Sequence, residues 1–168
     1  LANHQVAIYY QPQFCVSSGR IIGVEALLRW NNEKLGFVSP AELIPIAENT
    51  GAISELGSYV IYQSMKDMKV FTTANGFTLN LSINISPKQL LEPQFIRKVI
   101  KASKELAVDP SLVTLEITEN VLITDLSIVR PILQQLRTSG FKLSLDDFGT
   151  GYSSLSYLSN LPFNEIKI

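Results

Sequence analysis

Two adjacent carboxylates, Asp146-Asp147, stand where the apolar run 141–145 gives way to a loop bounded by Gly149 and Gly151. Carboxylates held side by side raise one another's pKa or share a cation, so a strand ending this way calls for bound positive charge. Glu25, Asn84 and Glu116 occupy late positions in three other apolar segments, each on the side opposite the aliphatic residues. With Asp146 and Asp147 they form an oxygen-only donor set containing no cysteine, in a chain with a single histidine. Such a set selects a hard cation, Mg²⁺ or Mn²⁺, over zinc, and the number of acids suits one or two ions. Divalent ions of this kind bridge a phosphodiester, acidify water and hold the leaving oxygen. Lys167, in Glu165-Ile166-Lys167-Ile168, faces the same way and would steady developing phosphate charge or orient the water. Phosphodiester hydrolysis fits these parts.

Placing these groups together needs strands with a common polar parity. Residues 6–15 and 21–30 read as an antiparallel hairpin around the turn Ser17-Ser18-Gly19, followed by a polar loop. Ser39-Pro40-Ala41-Glu42 is a capping-box pattern with Gly51 as a stop, and a second helix is expected from Ile53 to Phe71. The clearest alternation sets Leu79, Leu81, Ile83 and Ile85 against Asn80, Ser82, Asn84 and Ser86. Ser86-Pro87 opens a short helix, and Phe95 to Leu106 mark a longer one ended before Asp109-Pro110. A strand from Leu112 to Thr118 follows, then a helix through Ile128 and Leu136 that stops at Gly140, the strand carrying Asp146, and a short helix through Leu155 and Leu158. Strands alternating with helices argue for parallel βα units in one domain. Polar groups on the face away from the helices favour a shared barrel interior over a doubly wound sheet.

A lone Asn or Glu at a strand end is more often a cap than a ligand. Parity shared by four strands is harder to explain that way. Arg29 alone would serve equally in a surface ion pair. His4 and Cys15 read as incidental, and Met65 with Met68 as core. The 168 residues are 46% hydrophobic and 17% charged, with net charge −1, which describes a globular chain without the basic field that grips long nucleic acid. One cysteine excludes an intrachain disulfide, and no apolar run approaches membrane-spanning length.

Glu25-Ala26-Leu27-Leu28-Arg29-Trp30, Asn84-Ile85-Ser86, Glu116-Ile117-Thr118-Glu119, Asp146-Asp147-Phe148-Gly149-Thr150-Gly151-Tyr152-Ser153-Ser154-Leu155 and Ile166-Lys167-Ile168 resemble, in order, the signatures of the EAL-domain family. The resemblance runs from Tyr9-Tyr10-Gln11-Pro12 to the end of the chain. It implies an α/β, TIM-like barrel with an antiparallel strand near its start, and hydrolysis of cyclic-di-GMP to the linear dinucleotide with Mg²⁺ or Mn²⁺. By position it implies metal ligation by Glu25, Asn84, Glu116, Asp146 and Asp147, with Lys167 and Glu25 at the catalytic centre. Gln11, Leu27 and Arg29 are implied as contacts to the dinucleotide, and Glu119 as support behind the ligands. The loop with Phe148, Gly149, Thr150 and Gly151 is implied to link metal occupancy to a dimer interface.

The family pattern continues beyond Ile168 with two further strands, and a complete barrel takes about 250 residues. Residues 1–168 are therefore expected to form a single EAL-type domain lacking its last strands, with about six of eight barrel strands present and impaired hydrolysis. A homodimer or strand-exchanged oligomer would cover the open edge. The alternative is a regulatory module that binds cyclic-di-GMP or a protein without cleaving anything. No membrane contact by this segment is expected, and its place is cytoplasmic, on its own or as the cytoplasmic part of a larger, membrane-anchored protein.

Overall fold

The computed structural model describes residues 5–123, 125–149 and 161–167. It opens on the expected hairpin: β1, Val6–Phe14, pairs antiparallel with β2, Ile21–Asn32, with Gln11 opposite Glu25. The turn is closed by the Cys15 N–H donating to the Arg20 carbonyl at 2.8 Å, and Gly19 takes φ 64°, which a side chain would resist. The polar loop expected after β2 is instead a second hairpin. β3, Gly36–Val38, folds back on Trp30–Asn32. The Asn32 side-chain oxygen accepts from the N–H groups of Lys34 and Leu35 at 2.9 and 3.1 Å, a local turn that polarity alone conceals.

Helix α1, Pro40–Thr50, starts in a full capping box: Ser39 Oγ accepts from the Glu42 N–H while Glu42 Oε2 accepts from the Ser39 N–H. Gly51 ends it in the left-handed region. Helix α2, Ile53–Asn75, runs a turn beyond the expected Phe71. Its apolar stripe fades there, but only Gly76, at φ 70°, releases the backbone. Strand β4, Asn80–Ile85, leads through the Ser86 cap into α3, Pro87–Leu90, and then α4, Phe95–Leu106. Asp109 caps a 3₁₀ turn at Pro110–Leu112, which takes Leu112 out of the strand expected there, and β5 is Val113–Thr118. A further 3₁₀ turn, Glu119–Ile123, precedes α5, Leu126–Thr138, capped by Asp125. Strands β6, Lys142–Asp146, and β7, Glu165–Ile166, complete the order. The helix expected through Leu155 and Leu158 lies outside the described residues, as do His4, Thr150 and Gly151.

The sheet runs β1-β2-β4-β5-β6-β7, with β3 paired to β2; β2, β4, β5, β6 and β7 are parallel and β1 antiparallel. This is the expected α/β, TIM-like arrangement, and among the described residues the sheet does not close into a barrel. Leu81, Ile83, Leu115, Ile117, Leu143 and Leu145 are wholly buried on one face. Met65 and Met68 of α2, Val99 of α4 and Leu133 of α5 pack into that core. Each such side chain contributes about 1.5–3 kcal/mol by leaving water. The parallel register then aligns the opposite, polar face: Glu25 beside Ser82, Asn84 beside Glu116, and Glu116 beside Ser144.

Candidate active site

Because side chains alternate along a strand, burying the aliphatic positions forces Glu25, Asn84, Glu116 and Asp146 to one side. There the Asn84 amide donates to Glu25 Oε1 at 2.8 Å. Lys167, one residue past β7, sends its ammonium among the acids, 2.7 Å from Glu116 Oε2, 3.3 Å from Glu25 Oε2 and 3.9 Å from Asp146 Oδ1. Burial raises the Glu116 pKa; the Lys167 hydrogen bond pulls it back and the Glu25 charge raises it again, for a net rise. Burial opposes the charge on Lys167, but its bond to Glu116 and the fields of Glu116, Glu25 and Asp146 outweigh that and raise its pKa. Among the described residues Glu116 Oε1 is buried without a hydrogen-bond partner. Ser144, beside it on β6, is in the same condition.

Asp147 is exposed and takes φ 56°, with its N–H donating to Asp146 Oδ1 at 3.1 Å. The left-handed step turns the chain immediately after the strand. Phe148 N–H then donates to the Lys167 carbonyl at 3.2 Å, and Gly149 N–H to Glu119 Oε2 at 2.9 Å. Glu119 is buried and so holds the loop from below. The backbone of Lys167 is fixed in turn by its N–H to the Leu145 carbonyl at 2.8 Å.

Gln11 is exposed on β1 across from Glu25, and Leu27 is half-buried two positions beyond it. Among the described residues Arg29 makes no ion pair with these carboxylates. It donates to the Leu28 carbonyl at 2.9 Å, and its guanidinium lies 5.9 Å from the centre of the Tyr9 ring. Arg29, Leu27 and Asn84 do line one groove of about 520 Å³. Three contributors escaped the sequence reading. Gln13 donates to Ser82 Oγ at 3.2 Å and ties β1 to the polar face, Ser144 underlies Glu116, and Gln89 is buried in the groove wall. Parity alone could have flagged Ser82 and Ser144; nothing in the local pattern singles out Gln89.

Among the described residues no three or more His, Cys, Asp or Glu are arranged to hold a metal ion as they stand. The cation these carboxylates face is the Lys167 ammonium. The donor set nevertheless fits a hard divalent ion: it is all oxygen, and the buried Glu116 Oε1 has no partner among the described residues.

The EAL domain profile matches residues 1–168. The chain is 40% identical over 161 residues to the cyclic di-GMP phosphodiesterase PA2567 of Pseudomonas aeruginosa, covering 96% of this chain and 27% of that protein. It is 37% identical over 168 residues to the bifunctional diguanylate cyclase/cyclic di-GMP phosphodiesterase MucR of the same organism, covering all of this chain and 24% of that one. The chain thus spans about a quarter of the length of these curated relatives. The solved PaMucR phosphodiesterase in complex with c-di-GMP superposes with a TM-score of 0.92 at 37% identity, over 98% of this chain and 66% of that one. The EAL enzyme Bd1971, bound to cAMP and cyclic-di-GMP, gives 0.91 at 33% identity over 99% and 46% of the two chains. On the ordered signatures, the fold and these matches, the chain belongs to the EAL domain family.

Proposed function

We propose that residues 1–168 are the larger part of a single EAL domain that hydrolyses cyclic-di-GMP to its linear dinucleotide. The observation that carries this reading is the meeting of Glu25, Asn84, Glu116 and Asp146 around Lys167 on one polar face, in a chain akin to cyclic di-GMP phosphodiesterases. Glu25, Asn84, Glu116, Asp146 and Asp147 would hold one or two Mg²⁺ or Mn²⁺ ions. When bound, the ion supplies positive charge against the phosphate and acidifies water. A water oxygen bonds to phosphorus, one P–O ester bond breaks, and the departing sugar oxygen takes up a proton.

The chain's own residues define the rest. Lys167, charged and held by two glutamates, meets negative charge developing on the phosphate. Asn84 fixes the orientation of Glu25 through its amide. Among the described residues Arg29 bonds its neighbour's carbonyl and lies against Tyr9, which leaves it able to make a charge-assisted hydrogen bond to phosphate alongside Leu27 and Gln11. Asp147 and the Glu119-tethered backbone at Gly149 couple ligand geometry to the following loop.

Incubating the purified chain with cyclic-di-GMP and Mn²⁺ or Mg²⁺, with and without chelator, and separating products by chromatography tests this. Cation-dependent linear dinucleotide is expected, formed more slowly than by a longer chain carrying the further family strands. Absence of both product and nucleotide binding would reject the reading. A second reading, binding without cleavage, is favoured by the Lys167 ammonium already neutralising the acids. Calorimetric binding with no product under any cation would select it. Among the described residues no strand pairs the outer edge of β1, which favours association with a second copy, and mass measured against concentration would reveal it.

A further inference from the structure

Helices α4 and α5 each return the chain between neighbouring parallel strands, so they lie side by side over the aliphatic face of the sheet. A groove of about 550 Å³ runs along them. Ile96 and Ile100 of α4, half-buried and resting on the core, share it with Gln135 of α5. Arg97, Lys101 and Lys104 border it and are exposed. Positions 97, 101 and 104 follow i, i+4, i+7, so the three cations form one row about 10 Å long beside the row of Ile96 and Ile100. Like charges at these spacings repel one another. Lys101 is paired with Glu105 at 3.6 Å, while among the described residues Arg97 and Lys104 enter no ion pair. With Lys98, this helix gathers four of the 14 lysines and arginines of a chain whose net charge is −1.

A solvated charged face accounts for the cations but not for the apolar channel they border. That channel continues on α5, where Ile128 stands two turns before Gln135 on the same face and is 54% exposed. We propose that the groove docks an amphipathic helix of a partner protein that carries Asp or Glu at i, i+4 and i+7 beside an aliphatic stripe. The stripe lies along Ile96, Ile100 and Ile128, and the acids face Arg97, Lys101 and Lys104. Helix α4 has 12 residues, an axis of about 18 Å, which sets the docked segment at about three turns. The catalytic carboxylates project from the other face of the sheet, so docking leaves them open to substrate.

Fluorescence anisotropy with labelled helical peptides of about four turns tests this on the wild-type chain. One peptide carries Glu at i, i+4 and i+7 beside a leucine stripe, and a second has the same composition in scrambled order. The ordered peptide should bind roughly tenfold more tightly than the scrambled one, and more weakly as salt is raised. Arg97→Glu combined with Lys104→Glu should bind the ordered peptide roughly tenfold more weakly and recover affinity for a peptide with Lys in place of Glu. Ile128→Ser should weaken the ordered peptide several-fold and leave the salt dependence unchanged. Circular dichroism checks that each variant keeps its helices; if the double reversal does not fold, Arg97→Gln with Lys104→Gln removes the same charges and should flatten the salt dependence. Equal affinity for the ordered and scrambled peptides, no loss in the charge variants, or no recovery with the reversed peptide overturns the proposal. Vesicles containing phosphatidylserine provide the contrasting probe: binding to them that the charge variants abolish, without binding of the ordered peptide, assigns the cations to a lipid surface and overturns it too.

Discussion

Replacing Lys167 with methionine removes the only ammonium within 4 Å of Glu25, Glu116 and Asp146 among the described residues while keeping most of the side-chain volume. The Glu116 side chain is 0% exposed, so it cannot recover solvation in place. Removing one partner of a buried pair costs about 3–5 kcal/mol. Lys167 is itself 32% exposed, so water already screens part of its attraction, and a loss of about 2–3 kcal/mol follows. For a chain of this size that is a fall of roughly 4–12 °C in Tm. Burial and the Glu25 charge already raise the Glu116 pKa against the pull of Lys167, so without the lysine it rises further. A carboxyl whose folded pKa lies above its unfolded one contributes stability that is complete below the unfolded value and lost as pH climbs through the folded one. The variant should therefore match wild type near about pH 4 and show its full deficit above about pH 7. Urea unfolding followed through Trp30 fluorescence at several pH values reads this directly. Adding Glu116→Gln to Lys167→Met should restore most of the loss. A deficit equal at both ends of the pH range, or no deficit, would refute the account.

In wild type the raised Lys167 pKa places the matching loss of stability at the alkaline end, above about pH 10.4, where the ammonium finally deprotonates. Ser39→Ala removes an oxygen that caps the Glu42 N–H at 3.3 Å and should cost about 1 kcal/mol in the same unfolding assay. At Asp147, φ 56° disfavours any branched side chain. Asp147→Val should lose about 1–2 kcal/mol while Asp147→Gly stays within about 0.5 kcal/mol of wild type.

Much of this arrangement was legible because it follows from local rules. The alternation at 79–86 sets which face of β4 is buried, and once that is known Asn84 must lie beside Glu116 through the parallel register. Ser39-Pro40 and Gly51 similarly bound α1 through capping that needs no tertiary information. What escaped depends on contacts distant in sequence or on side chains acting as backbone mimics. The β3 hairpin turns on the Asn32 side chain, so its polar composition resembled an ordinary loop. Arg29 has the family position but rests on Tyr9, an outcome set by the register of the first hairpin. A Cβ at Gly57 of α2 would overlap the Gln89 amide, and only packing α3 against α2 brings these residues, 32 positions apart in the sequence, together.

The position of Lys167 also sets an order of events. Its partners Glu25 and Glu116 lie 142 and 51 residues earlier in the chain, whereas β1 and β2 meet through a short turn. Closing so long a loop has an entropic cost that must be met before the contact returns anything. The hairpin can thus form early and locally, but the acidic face stays self-repelling until β7 delivers its cation. β7 has only two residues in the ladder, so the ammonium adds to the few backbone bonds that retain it. The same contact that tunes the candidate site would then form later than the hairpin.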